Sequence, residues 1–438
     1  MVEEEPHPTW DTKTSIAINS IRVLNALTAE SQVNLKRIRR VRSYVTLPTN
    51  RNVRITKTAL KRRDDIVLEH MGSDDATGLV KAEWVEYVPD ASFFAPASPH
   101  SVKDESSNTD PAVLYLHGGG YALCSRKTHR GLTWKVAKHA KSRVLAIDYR
   151  LAPEHVFPLA LHDAISAYSF LLSNGRPASK IIICGDSAGG GLALALTLWL
   201  RDNGPSHNLP LPAGVILMSP WLDLSHSLPS FKNGKFDLLR EKVIDSTVIT
   251  ETRSHFYISD NSFLKHPLVS PLFAQENLLA PLPPLLIQVG DAERLRDESI
   301  VFATSQFSQS PIRLEIYEGM VHVFQMLASF IKVADRAMER LGSFAQEAIA
   351  RQEQQDSCGL AEFERRVEWI SNDAKHDFPV RSMTSAEVTE LLEGSSGQVA
   401  EEVSSVMAEV TTSGDSAESE VEFLGSCDEG PMVPMPER

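Results

Sequence analysis

The chain has 438 residues, 42% of them apolar and 23% charged, the profile of a water-soluble globular protein with room for one large or two ordinary domains. It carries no uninterrupted apolar run of transmembrane length, no secretory signal in its first ten residues, and four scattered cysteines that form neither a disulfide framework nor a metal-spaced set; an intracellular, cytoplasmic location is expected. The formal charge of −13 excludes little, because thirteen Asp/Glu and one Arg from Thr384 to Arg438 carry −12 of it, and the near-neutral remainder offers no basic patch for nucleic acid.

Residues 1–63 read as an amino-terminal segment, partly helical, in which apolar text precedes the basic cluster Lys36, Arg37, Arg39, Arg40 and Arg42. Such a segment either packs over a domain as part of a cap or makes a peripheral membrane-surface contact through its apolar and basic faces. From 64 to 350 short apolar runs alternate with helical stretches. Ala112–Leu116, Arg143–Ile147, Lys180–Cys184, Gly214–Met218, Leu285–Val289 and Arg313–Tyr317 have the length and apolar content of central parallel strands. Arg130–Ala140, Ala160–Leu172 and Glu298–Phe307 are long enough to be crossover helices. The pattern predicts α/β architecture, a mostly parallel sheet flanked by helices. Residues 225–280 interrupt the rhythm with helical text and are expected to form a cap insertion. A carboxy-terminal extension spans 351–381, and 382–438 is an acidic, Ser/Thr/Glu-rich tail expected to be disordered.

Two motifs carry chemistry. Gly185-Asp186-Ser187-Ala188-Gly189 lies between the strand Lys180–Cys184 and helical text, the strand–turn–helix setting that lifts a serine hydroxyl out of a sheet. His117-Gly118-Gly119-Gly120-Tyr121 follows the first core strand, 70 residues before Ser187. Such a glycine loop presents backbone N–H groups to a carbonyl oxygen that becomes negative; Gly118 and Gly119 are the expected donors, with Ala188 N–H completing the hole. His117 is expected to shape the loop rather than act as a base.

With these motifs in order, the chain resembles the hormone-sensitive-lipase-like family of α/β-hydrolase esterases. The resemblance spans about residues 80–345 and includes Asp148-Tyr149-Arg150-Leu151-Ala152-Pro153-Glu154, Phe157-Pro158, Asp163, Ser219-Pro220-Trp221, Gly290–Asp297 and Glu318-Gly319-Met320-Val321-His322-Val323-Phe324. It implies an α/β-hydrolase fold with a helical cap and carboxylic-ester hydrolysis through an acyl-enzyme. The histidine of the last motif, His322, would be the general base. The acid loop offers Asp291, Glu293 and Asp297. The family's acid-x-Leu-x-Asp spacing favours Glu293, with Leu295 and Asp297 at their usual offsets, and leaves Asp291 as the alternative acid. Asp148, Arg150 and Asp163 would form a supporting Arg–carboxylate network. Tyr121, Trp221, Phe256 and Phe324 are candidate pocket residues. The substrate class would be short- to medium-chain or acetylated natural esters, with no metal or organic cofactor required. The oligomeric state is left open, and the rival reading is a catalytically silent hydrolase fold that serves as a ligand receptor or scaffold.

Overall fold

A computed structural model describes residues 6–29, 39, 50–89, 110–234, 236–239, 255–277, 280–307, 310–355 and 364–393. The strands are β1 (Val53–Lys61), β2 (Leu79–Tyr87), β3 (Ala112–Leu116), β4 (Arg143–Asp148), β5 (Ile181–Asp186), β6 (Gly214–Met218), β7 (Leu285–Gly290), β8 (Ile312–Tyr317), β9 (Arg366–Ile370) and β10 (Val380–Ser382). They form one sheet in the order β1-β2-β4-β3-β5-β6-β7-β8-β9-β10. Neighbours from β4 through β9 pair in parallel, whereas β1–β2, β2–β4 and β9–β10 pair antiparallel.

The helices are α1 (Thr12–Ala29), α2 (Arg130–Ala140), α3 (Leu159–Ser173), α4 (Ala188–Asn203), α5 (Pro229–Asn233), α6 (Arg296–Val301), α7 (Lys332–Gln355) and α8 (Ser385–Glu393). Successive strand residues point to opposite faces, so the central strands feed two cores. Leu114 and Leu116 join Leu161 of α3 and Leu192 and Leu198 of α4 on one side. Val113 and Tyr115 join Leu132 and Val136 of α2 and Leu341 and Phe344 of α7 on the other. Burial on both faces is why these strands are almost solidly apolar.

Several features depart from the pattern in the sequence. Within residues 1–63, Val53–Lys61 is an edge strand of the sheet, and α1 buries Ile18 in the α2/α7 core. Of the basic cluster, Arg39 donates to Ala122 O at 2.7 Å and pairs with Glu154; the other four residues lie outside the described ones. The expected helix Glu298–Phe307 is α6 followed by a π-helical turn over Phe302–Gln306. Of 225–280, the described residues form α5 and short 3-10 turns at Asn261–Lys265 and Pro271–Phe273. Disorder from 382 is corrected for its first part: α8 buries Val388 and Leu392, and its Leu391 carbonyl accepts from Arg296. Residues 394–438 lie outside the described ones. Among the described residues no helix is long and apolar enough to cross a membrane.

Candidate active site

β5 ends at Asp186, and α4 begins at Ala188, so the chain must reverse at Ser187. It does so with φ 52° and ψ −125°, a conformation that costs on the order of 1–3 kcal/mol for a residue with a side chain. Close contacts hold it there. A Cβ at Gly189 would lie 2.1 Å from Leu116 O, and one at Gly185 would lie 2.1 Å from Gly189 O, so both positions require glycine. Ser187 N–H donates to Met218 O at 3.0 Å, and Ser187 O accepts from Trp221 N–H at 2.9 Å.

His322 stands on the loop after β8 with Nε2 2.9 Å from Ser187 Oγ. The loop after β7 brings Glu293 to the other side of the imidazole, with Oε1 4.0 Å from His322 Nδ1. That is ion-pair range rather than a hydrogen bond, and neither atom has another hydrogen-bond partner. Glu293 Oε2 accepts from Ser219 Oγ at 2.7 Å and Gly290 N–H at 3.2 Å. Burial opposes a charged imidazole, yet the Glu293 carboxylate outweighs it and holds the His322 pKa above the ordinary histidine value. Burial likewise pushes Glu293 up, against the pull of His322.

Asp291 is turned elsewhere: Oδ1 accepts from Gly319 N–H, and burial pushes its pKa up to about 7. Asp297 accepts from Ser230 N–H at 2.8 Å. Of the three carboxylates, Glu293 is therefore the one brought to His322.

The glycine loop requires a correction. Gly118 is buried and its N–H donates to Asp186 Oδ1 at 3.0 Å, so this amide is committed to the elbow rather than to a substrate oxygen. Gly119 and Gly120 follow at φ 120° and 60°, both half-buried, and a Cβ at Gly120 would meet nothing within 4 Å. Asp186 also accepts from Tyr115 Oη at 2.5 Å, and its Oδ2 lies 3.2 Å from His129 Nε2. Burial would raise the Asp186 pKa, but His129 and Tyr115 lower it below the ordinary value. His117 stacks on Tyr149, whose hydroxyl donates to His117 O at 2.6 Å. Burial lowers the His117 pKa to about 3, which keeps that ring neutral as part of the loop's support. Beneath it, Asp163 binds Arg150 at 3.0 Å and Arg62 at 2.6 Å.

Tyr121 is buried with its ring stacked 3.7 Å from that of Tyr257 and tilted against that of Trp221 at 6.1 Å. Phe256 is half-buried beside His255. Phe324 is fully buried against Tyr317 in the α2/α7 core, away from the Tyr121 cluster. Two supporting residues had no role in the sequence reading. Ser219, at φ 45°, donates to Glu293 and accepts from Val323 N–H at 3.0 Å, joining the acid to the histidine loop. Asp237 accepts from His322 N–H at 2.8 Å. Ser219 had a visible signal in Ser219-Pro220-Trp221 after a strand; Asp237 had none.

A family model described as alpha/beta hydrolase fold matches residues 113–326. An acetyl-hydrolase of Streptomyces hygroscopicus is 37% identical over 237 residues, 54% of this chain and 75% of that one. The chain belongs to the hormone-sensitive-lipase-like family of α/β-hydrolase esterases. Further relatives agree with the assignment. An esterase of Acinetobacter venetianus is 36% identical, covering 56% of this chain and 77% of its own. An ethyl acetate hydrolase of Pseudomonas putida is 29% identical, covering 54% and 73%. Among solved structures, an esterase of the bacterial hormone-sensitive lipase family superimposes with a TM-score of 0.59 at 28% identity, over 78% of this chain and 99% of that one. The protein is accordingly a carboxylic-ester hydrolase.

Proposed function

We propose that this esterase works by a serine mechanism in which Ser187 is the nucleophile, His322 the general base and Glu293 the acid that orients it. The observation that carries the reading is the 2.9 Å contact between Ser187 Oγ and His322 Nε2 at the strained elbow. His322 takes the hydroxyl proton as Oγ attacks the acyl carbon, then returns it to the departing alcohol. A water deprotonated by His322 then attacks the acyl-enzyme and releases the acid. Glu293 favours the imidazolium that forms in each step, and the 4.0 Å gap to Nδ1 closes as that charge develops. The oxyanion takes N–H groups from Gly119, Gly120 and Ala188. Ala188 is the first residue of α4, so its amide has no intrahelical acceptor. Gly120 replaces Gly118, whose amide is engaged by Asp186.

The substrate class is a short- to medium-chain acyl ester or acetylated natural product. The names of the acetyl-hydrolase and ethyl acetate hydrolase relatives support a small acyl group, and Tyr121, Trp221 and Phe256 supply an apolar wall for the remainder. Turnover of 4-nitrophenyl esters from acetyl to dodecanoyl tests both parts. The wild-type chain should prefer the short acyl groups, and Ser187→Ala should abolish turnover. Glu293→Gln should lower kcat by about 10⁴-fold if it fixes the imidazole as the third triad member does elsewhere. Asp291→Asn should stay near wild type. Loss of turnover in Asp291→Asn with Glu293→Gln unaffected would overturn the acid assignment.

A further inference from the structure

Residues 229–234 and 236–239 cross the two loops that carry His322 and Glu293. Asp237 sits buried at this crossing. Its Oδ1 accepts from His322 N–H at 2.8 Å and from Leu238 N–H at 2.6 Å, and its Oδ2 accepts from Arg294 N–H at 2.9 Å. One carboxylate therefore ties the main chain of the base to the residue that follows the acid, 85 and 57 positions away in sequence. The grip is returned from the acid loop. Arg294 donates its guanidinium to Phe231 O and, at 2.7 Å, to Leu239 O, while Ser230 Oγ donates to Arg294 O at 2.7 Å.

The amino-terminal segment closes over the same crossing. Arg22 of α1 donates to Phe236 O, the rings of His7 and Trp10 stand 5.0 and 6.4 Å from that of Phe236, and Trp10 Nε1 donates to Gly319 O in the histidine loop. The carboxylate beside His322 is thus held from three directions, by the histidine loop, the acid loop and a segment that α1 covers.

We infer that Asp237 is a positioning residue for His322, setting the height and tilt of the base over Ser187. This rests on the reading of His322 as the general base. The geometric part follows from rigidity: the main-chain bond at 2.8 Å sets where the imidazole begins, and the reach to Ser187 Oγ tolerates little displacement. The electrostatic part follows from proximity. The charged groups facing His322 are Glu293 from the acid loop, Asp186 from the elbow and Asp237, all favouring its protonated form. Asp237 touches neither Ser187 nor the ring nitrogens in this arrangement, so it acts through the base rather than on substrate.

The test is steady-state hydrolysis of 4-nitrophenyl acetate by the full chain, with active sites counted by a fluorophosphonate burst so that misfolded molecules drop out. Asp237→Asn should lower kcat per titrated site by roughly 10- to 100-fold with little change in KM. The acid limb of kcat/KM should move to lower pH, because one carboxylate fewer favours the imidazolium. Asp237→Ala, which also removes the acceptor for His322 N–H, should lose more kcat than Asp237→Asn. A per-site kcat and acid limb at wild-type values in Asp237→Asn overturn the proposal. So does an Asp237→Asn chain whose whole loss lies in the number of titratable sites, or one recovered only unfolded, since the carboxylate would then serve the fold alone. Ser187→Ala run alongside separates the two levels: turnover in that variant sinks the serine mechanism itself, whereas a dead Ser187→Ala beside an unaltered Asp237→Asn sinks only the role of Asp237.

Discussion

At the residue scale, Asp291 is half-buried and Glu293 fully buried near His322, and their contacts divide them. Glu293 faces His322 Nδ1, whereas Asp291 braces Gly319 and is held up to about pH 7 by burial. A carboxyl group with a folded pKa near 7 and an ordinary one of 3.8 keeps a proton that the unfolded chain has already lost between those values. Its contribution to stability is complete below the lower value and is lost as pH rises through the upper one. Asp291→Asn cannot ionise and still accepts from Gly319. Its melting temperature relative to wild type should therefore climb between pH 5 and pH 8. Paired thermal melts check this, and a difference that stays constant with pH would contradict a carboxyl that keeps its proton up to about pH 7. The acid-loop spacing already pointed to Glu293 over Asp291, because Leu295 and Asp297 fell at the right offsets. The roles of Gly118 and Phe324 were not legible in this way. Which glycine amide is free depends on Asp186, 68 residues away, and which core Phe324 enters depends on the turn after His322.

At the element scale, the six central strands were readable because each is buried on both faces and therefore nearly solid with apolar residues. The edge strands were not. β1 reads Val53-Arg-Ile-Thr-Lys-Thr-Ala-Leu-Lys61 and buries only Leu60, so its text resembles a polar surface segment. α8 lies in acidic, Ser/Thr-rich sequence because two buried side chains, Val388 and Leu392, suffice to seat it, and the three residues of β10 are all exposed. The elbow makes the firmest demand on sequence. α4 approaches the end of β3 so closely that a methyl group at Gly189 would overlap Leu116 O and His117 O. Gly189→Ala must push α4 away or tilt Ser187, and should destabilise the chain by about 1–3 kcal/mol, with a loss of kcat in the molecules that still fold. Denaturant unfolding together with activity per titrated site measures both; a variant unchanged in each would mean that the elbow is not packed as described.

At the scale of the whole molecule, residues far apart in the chain converge at one end of the parallel strands. The β5–α4 turn supplies Ser187, the loops after β7 and β8 supply Glu293 and His322, and the loop after β3 supplies the glycine amides. Two antiparallel strands extend the sheet beyond β4, and β10 extends it beyond β9, while the carboxylates Asp186, Asp163 and Asp237 tie the loops above it. The ties of Asp186 and Asp237 span 68 and 85 positions, and for that reason these two braces were not legible although the order of motifs and the Arg150–Asp163 pair, 13 positions apart, were. The proposed mechanism requires Ser187 to form the covalent intermediate. The most direct measurement is inactivation of the full chain by a fluorophosphonate, followed by peptide mass mapping of the adduct. The expected result is one phosphonyl group on the peptide containing Ser187, formed in step with loss of esterase activity and absent from Ser187→Ala. Activity lost while Ser187 remains unmodified, or an adduct on another residue in step with inactivation, would contradict it.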